Sequence, residues 1–124
     1  MTTRTLLRLS AGLETVTGIA LIALPDLVAR LLLGTGLSGS GIAVARVGGF
    51  GLLSLGFACW PGWDEVTAGA IRALFTYNLL AALYLGYLRV GGGFDGFLLW
   101  PASILHALLA LLMARPTYES VRQR

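Results

Sequence analysis

The side chains of this sequence that could do chemistry are few, and the most unusual are polar groups inside long apolar segments: Glu14, Arg46, Tyr77, Asn78 and His106. A carboxylate and a guanidinium in such surroundings predict an ion pair, here between Glu14 and Arg46. Tyrosine, asparagine and histidine supply donors and acceptors that satisfy the remaining polar atoms. The set suits a buried structural network, a binding site for a small molecule, or a group that holds a proton.

Three more residues are candidate neighbours of this set, namely Thr17, Ser103 and Trp100. No nucleophile stands beside a base and no metal-ligand spacing occurs, so we predict no metal site and rank an enzyme last among the hypotheses. The single cysteine, Cys59, excludes a disulfide within the chain and a cysteine-based zinc site. The single histidine excludes bis-histidine haem within one chain.

The elements that must position these residues are four apolar segments. The 124-residue chain is 56% hydrophobic and 12% charged, with a mean hydropathy of +0.80, which is typical of a membrane protein. A hydrocarbon core of about 30 Å needs roughly 20 helical residues. Four segments reach that length, approximately 5–24, 40–60, 66–90 and 95–114.

The connections between these segments predict how the helices are arranged. The stretch 25–33 begins with proline and has one charged side, which predicts a short interfacial helix after the first span. The other links are short and rich in glycine or proline, so neighbouring helices should run antiparallel. We therefore expect an all-α fold, an integral membrane four-helix bundle of two antiparallel hairpins, with residues 1–124 forming a single transmembrane domain.

Counting along the helices predicts which polar side chains meet. At a rise of about 1.5 Å per residue, Glu14, Tyr77, Asn78 and His106 fall at similar depths. Glu14 also shares its helix face with small residues, which lets a neighbouring helix approach closely. Arg46 lies nearer the opposite end of its helix, but its side chain is long enough to reach toward Glu14.

The distribution of charge predicts orientation. Every basic residue is an arginine, and the net charge is +3. Most arginines, among them Arg4, Arg8, Arg72 and Arg115, lie at the segment ends nearest the termini. By the positive-inside rule, both termini are expected in the cytoplasm and the chain in the bacterial inner membrane. Charges at the ends of spans indicate contact with lipid headgroups and no nucleic-acid partner.

Three stretches resemble the DoxX-like group of small bacterial four-helix membrane proteins: "RLSAG" (Arg8–Gly12), "LPDLVARLLLG" (Leu24–Gly34) and "ARVGGFGLLSLG" (Ala45–Gly56). The resemblance spans the whole chain and implies the four-helix membrane fold. Some members of that group are associated with quinone-linked sulfur oxidation or with oxidative-stress complexes. A redox role would need a partner protein, because this chain lacks the cysteines for thiol chemistry.

A second, local resemblance is that of "AGLETVTG" (Ala11–Gly18) to the first-helix glutamate motif of small multidrug-resistance transporters. In that family the glutamate binds a proton and a cationic drug alternately, so the resemblance implies that Glu14 is a coupling carboxylate. The rest of the chain does not follow the pattern of that family. Pairing with Arg46 would also hold Glu14 ionised and unable to exchange protons.

The leading hypothesis is an accessory or ligand-binding membrane protein, with a buried polar pocket for a lipophilic molecule such as a quinone or a lipid, or a subunit of a larger membrane complex. The alternative is a proton-coupled small-molecule transporter that uses Glu14 and acts as a dimer. The same residues would also serve a purely structural ion pair. The expected partners are membrane lipids and either a second copy of the chain or a larger complex.

Overall fold

The computed structural model describes residues 1–62 and 66–122, and within these ranges it contains five α-helices and no strand. The helices are α1 (Thr3–Ala23), α2 (Pro25–Leu33), α3 (Gly39–Ala58), α4 (Ala68–Val90) and α5 (Leu99–Arg122). Four of them, α1, α3, α4 and α5, are long and apolar enough to cross a membrane. The all-helical fold and the four long apolar helices are thus confirmed, and they indicate a multi-pass membrane protein.

Local sequence signals account for where several helices begin. Thr2 caps α1, since its side chain accepts a hydrogen bond from the amide of Thr5, and Thr67 caps α4 in the same way. Pro25 opens α2, where its missing amide proton is not needed. These caps position the polar residues because they set the start, and hence the register, of the helices that carry them.

Helix α1 packs closely along α3, and the two run antiparallel because residues late in α1 meet residues early in α3. One close approach is at Gly18 and Gly49, where a side-chain carbon added to either residue would lie 2.7 or 2.8 Å from the carbonyl oxygen of the other. Gly56 lies in the same way against Ala11 and Thr15. Glycine is therefore required at this contact, which brings the two backbones together.

Helices α4 and α5 form the second close pair and are also antiparallel. The hydroxyl of Ser103 on α5 donates to the carbonyl of Ala82 on α4 at 3.0 Å, and His106, one turn further along α5, contacts Asn78, one turn earlier in α4. Within the described residues, α1 contacts every other helix and so joins the two pairs. The core between them contains Leu7, Leu74 and Met113.

The segment before α5 is held against α2, and this changes where α5 begins. The amide of Leu98 donates to the carbonyl of Leu31 in α2 at 2.8 Å. Because Leu98 is used in this contact and Gly96 lies against the backbone of Leu32, α5 begins at Leu99 rather than near residue 95 as predicted. At its other end α5 continues past Pro116 to Arg122 instead of stopping near residue 114, and the hydroxyl of Thr117 donates to the carbonyl of Met113.

Helix α2 carries an ion pair that also organises the following loop. Arg30 Nε donates to Asp26 Oδ2 at 2.8 Å, and the second carboxylate oxygen accepts from the amide of Leu37 at 2.8 Å. The hydrogen bond from Arg30, followed by that from Leu37, holds the pKa of Asp26 below its ordinary value. Both side chains are exposed, so the pair contributes little to global stability and mainly fixes the loop that leads into α3.

The close contact of α1 with α3 predicts that Gly49→Ala lowers the free energy of unfolding in detergent by about 1 to 3 kcal/mol, because the new methyl group would overlap the backbone of α1. The matched control is Gly48→Ala on the same helix, where nothing lies within 4 Å of the added carbon. That variant should be neutral or stabilised by up to about 1 kcal/mol, since alanine is the better helix former. Equal effects of the two variants would contradict the contact.

The Asp26 pair predicts a pH effect with a defined sign. The folded-state pKa of Asp26 lies below its ordinary value of about 3.9. The carboxylate therefore stabilises the fold above about pH 3.9, and this stabilisation is lost as the pH falls through the folded-state pKa. Arg30→Gln should therefore raise the Asp26 titration midpoint, followed by NMR of its side-chain carbonyl carbon. An unchanged midpoint would show that Arg30 does not interact with Asp26 in solution.

Candidate functional site

The interior of the protein contains a connected group of polar side chains on α1, α4 and α5. It consists of Ser10 and Glu14 on α1, Tyr77 and Asn78 on α4, and His106 on α5, and is called the polar cluster below. Ser10, Glu14 and Asn78 are completely buried. Their position follows from the packing of the fold, because α1 lies between α3 on one side and α4 and α5 on the other. Helices α4 and α5 cover the face of α1 that carries Ser10 and Glu14.

Asn78 is the centre of the hydrogen bonds in the polar cluster. Its Nδ2 donates to Ser10 Oγ at 2.7 Å and to the carbonyl oxygen of Leu74 at 2.8 Å. Its Oδ1 lies 2.8 Å from Nδ1 of His106. All polar atoms of the Asn78 side chain are therefore used, as expected for a fully buried amide. These bonds connect α1, α4 and α5 at a single point.

Tyr77 contacts both His106 and Glu14. Its ring meets the imidazole of His106 edge to face, with ring centroids 5.8 Å apart and an angle of 81° between the planes. The same side chain interacts electrostatically with the Glu14 carboxylate. Tyr77 thus links the hydrogen-bonded part of the polar cluster to its one carboxylate.

Glu14 is the least satisfied group in the protein interior. The residue has 0% of its surface exposed, and neither carboxylate oxygen has a partner at hydrogen-bond geometry among the described residues. A buried carboxylate without donors is strongly disfavoured in its ionised form. A proton, a cation or a ligand that donates hydrogen bonds would each remove that penalty. Glu14 is therefore the position in the polar cluster where binding is most favoured.

The predicted ion pair between Glu14 and Arg46 is wrong. Arg46 is exposed, and its Nε donates to the carbonyl oxygen of Ile22 at 3.2 Å, two turns beyond Glu14 on α1. The antiparallel contact of Gly18 with Gly49 explains the difference, because it sets Arg46 against the last turns of α1. Arg46 therefore does not belong to the polar cluster, and Glu14 has no counter-charge there.

The three other candidates have different outcomes. Ser103 is buried one turn from His106, but its hydroxyl is used by the carbonyl of Ala82. Thr17 is partly buried one turn after Glu14. Trp100 is 46% exposed near the start of α5, so it faces the surroundings of the bundle rather than the polar cluster.

Sequence reasoning missed the role of Ser10 as a hydrogen-bond partner, although Ser10 lies four residues before Glu14 and hence on the same helix face. That spacing was the available signal, and serine commonly bonds to a neighbouring helix in membrane bundles. Among the described residues no group of histidine, cysteine, aspartate and glutamate side chains could hold a metal ion. The polar cluster offers hydrogen-bonding groups and one carboxylate.

No family model, curated protein or solved structure matches this chain. The resemblances to the DoxX-like group and to small multidrug-resistance transporters stay predictions for that reason. Function has to be inferred from the polar cluster itself.

The polar cluster predicts opposite effects of two substitutions on stability. Asn78→Leu should lower the free energy of unfolding by about 1 to 3 kcal/mol, because it removes the hydrogen bonds that join three helices. Glu14→Met should be neutral or stabilising, since it removes a buried carboxylate whose oxygens have no partner at hydrogen-bond geometry. Both are measured by unfolding in mixed detergent micelles. A strong destabilisation by Glu14→Met would show that Glu14 has a stabilising partner within the protein.

Proposed function

We propose that this chain is a small ligand-binding protein of the bacterial inner membrane, which holds a lipophilic molecule such as a quinone or a lipid at the polar cluster. In this proposal α1, α3, α4 and α5 cross the bilayer as two antiparallel hairpins, with both termini in the cytoplasm. The observation that carries the proposal is the complete burial of Glu14 without a hydrogen-bond partner. Ionisable residues of this kind within spans are usually functional.

The surroundings of Glu14 support binding of a molecule that is mostly apolar. The polar cluster is bordered by apolar side chains such as Leu7 and Leu74, so a ligand there would exchange one low-dielectric environment for another. A few polar groups among apolar walls are the usual composition of a small-molecule site. Tyr77 interacts with Glu14 and its ring meets that of His106, so the aromatic side of the polar cluster lies beside the proposed site.

The surface of α3 supports the proposed partners. This helix buries Gly49 and Gly56 against α1 and leaves large apolar side chains, among them Val44, Val47 and Phe57, exposed. An apolar surface of this extent requires lipid or another membrane protein to cover it. Membrane lipids, a second copy of the chain or a larger complex of the DoxX-like kind would each serve, which is consistent with an accessory role.

The lack of a counter-charge also favours a second candidate function, a proton-coupled transporter. Such a protein needs a carboxylate that exchanges a proton for a cationic substrate, and pairing with Arg46 would have prevented this. Arg46 instead bonds to the end of α1, so no arginine among the described residues pairs with Glu14. The two candidates use the same residue but differ in whether the bound molecule crosses the membrane.

The test is Glu14→Gln, with Glu119→Gln as the matched control, since Glu119 is an exposed glutamate paired with Arg115. The proteins are purified in nanodiscs with native lipids and their bound molecules identified by mass spectrometry. We expect one defined lipophilic molecule on wild type and on the control, and about tenfold less on Glu14→Gln, because a hydrogen bond to a buried charged group is lost.

The same three proteins in proteoliposomes separate the two candidates. Suppose that wild type takes up substrate when a pH gradient is applied and Glu14→Gln does not. That result would contradict a pure binding role and support the transporter. An identical set of bound molecules on all three proteins, without such uptake, would contradict both and leave Glu14 with a structural role.

A further inference from the structure

The orientation of the Asn78 amide is fixed by its neighbours. The carbonyl oxygen of Leu74 can only accept a hydrogen bond, so the NH2 group of Asn78 must face it, at 2.8 Å. The second proton of that group is directed to Ser10 Oγ, at 2.7 Å. The amide oxygen therefore faces His106. If the nitrogen and oxygen of Asn78 were exchanged, its oxygen would face the carbonyl oxygen of Leu74, and neither of these acceptors could donate to the other.

This orientation decides which nitrogen of His106 carries the proton. The amide oxygen of Asn78 lies 2.8 Å from Nδ1 and cannot donate, so Nδ1 must be the donor. In the neutral imidazole Nε2 is then an acceptor. Free imidazole side chains prefer the opposite tautomer, with the proton on Nε2, so Asn78 reverses the ordinary state of His106.

The polar cluster therefore offers mainly acceptors when Glu14 is ionised. They are the two Glu14 oxygens, neither of which has a partner at hydrogen-bond geometry, and Nε2 of His106 in the tautomer that Asn78 fixes. The amide protons of Asn78 are already used. The hydroxyl of Tyr77 is a donor, but it interacts with Glu14 itself. A molecule that offers only acceptors would leave these groups unsatisfied, and a molecule with O–H or N–H groups would pair with them.

We propose that the site at Glu14 selects lipophilic molecules that donate hydrogen bonds, namely hydroxyl or amino compounds, and that Asn78 is the positioning residue that gives His106 its accepting role. This inference rests on the proposed function and specifies the chemical class of its ligand. A site built to pair with a donor rejects an analogue that lacks the donor, because its own buried polar groups are then left without partners.

The first test is spectroscopic and needs no ligand. His106 is the only histidine in the chain, so protein labelled with 15N-histidine and purified through a histidine-free tag gives a single pair of imidazole nitrogen signals. At neutral pH we expect the shifts of the tautomer with a proton on Nδ1. Asn78→Asp should keep this tautomer, because a carboxylate still accepts from Nδ1. A wild-type protein with the proton on Nε2 would overturn the role given to Asn78.

The second test compares two probes that differ in one donor, a 4-alkylphenol and its methyl ether, bound to protein in phosphatidylethanolamine and phosphatidylglycerol nanodiscs. Wild type and Glu119→Gln should bind the phenol at least about tenfold more tightly than the ether, the effect of one hydrogen bond to a buried acceptor. Glu14→Gln should abolish this ratio, since its amide can donate as well as accept.

The outcomes separate the inference from the proposed function. Equal affinity for both probes, with binding of each still dependent on Glu14, would overturn the donor preference and leave the binding site in place. If neither probe binds in a way that depends on Glu14, the donor preference is overturned. If, in addition, no native molecule is found bound to wild type, the proposed function is overturned as well.

Discussion

The hydrogen bonds of one buried amide hold the two helix pairs of this protein in register. Asn78 on α4 bonds to Ser10 on α1 and to His106 on α5, so a single side chain reaches both pairs. The surrounding contacts are apolar and would tolerate a small slide of one helix along another. The hydrogen bonds would not, because a displacement of one turn would leave each partner unsatisfied in a low-dielectric interior. The position of Glu14 and Tyr77 relative to each other follows from this register.

In the function proposed above, stability and binding oppose each other at Glu14. Replacing a buried ionisable group by an apolar residue of similar size is often neutral or stabilising, so a carboxylate without partners has no evident structural use. The fold compensates for it with the close glycine contact on one side of α1 and the hydrogen bonds of Asn78 on another. The chain thus places a destabilising group between a close backbone contact and a buried hydrogen-bond network, an arrangement typical of functional sites.

Much of this fold could be predicted from the sequence, because the length and apolar character of a helix that spans a membrane are local properties. The bounds of α2 were found from Pro25 and Gly34 for the same reason. The start of α5 could not be predicted from the sequence, because it depends on the contact of Leu98 with α2. For Arg46, counting residues gave a depth but not the relative shift of α1 and α3, which the glycine contact sets. Counting depth alone correctly predicted that Glu14, Tyr77, Asn78 and His106 lie together. In a narrow bundle, polar side chains at the same depth have few other places to lie.

The bond between the amide of Leu98 and the carbonyl of Leu31 joins the first half of the chain to the second through main-chain atoms alone. Substituting either leucine leaves both atoms in place, so this hydrogen bond places almost no demand on the side chains of residues 31 and 98. It does depend on how many residues separate Val90 from Leu98, because one residue more or fewer would move the amide away from its acceptor. Selection therefore has to keep the length of this connection constant, together with Gly93, whose φ is 72°, and Gly96, where an added side-chain carbon would overlap the backbone of Leu32.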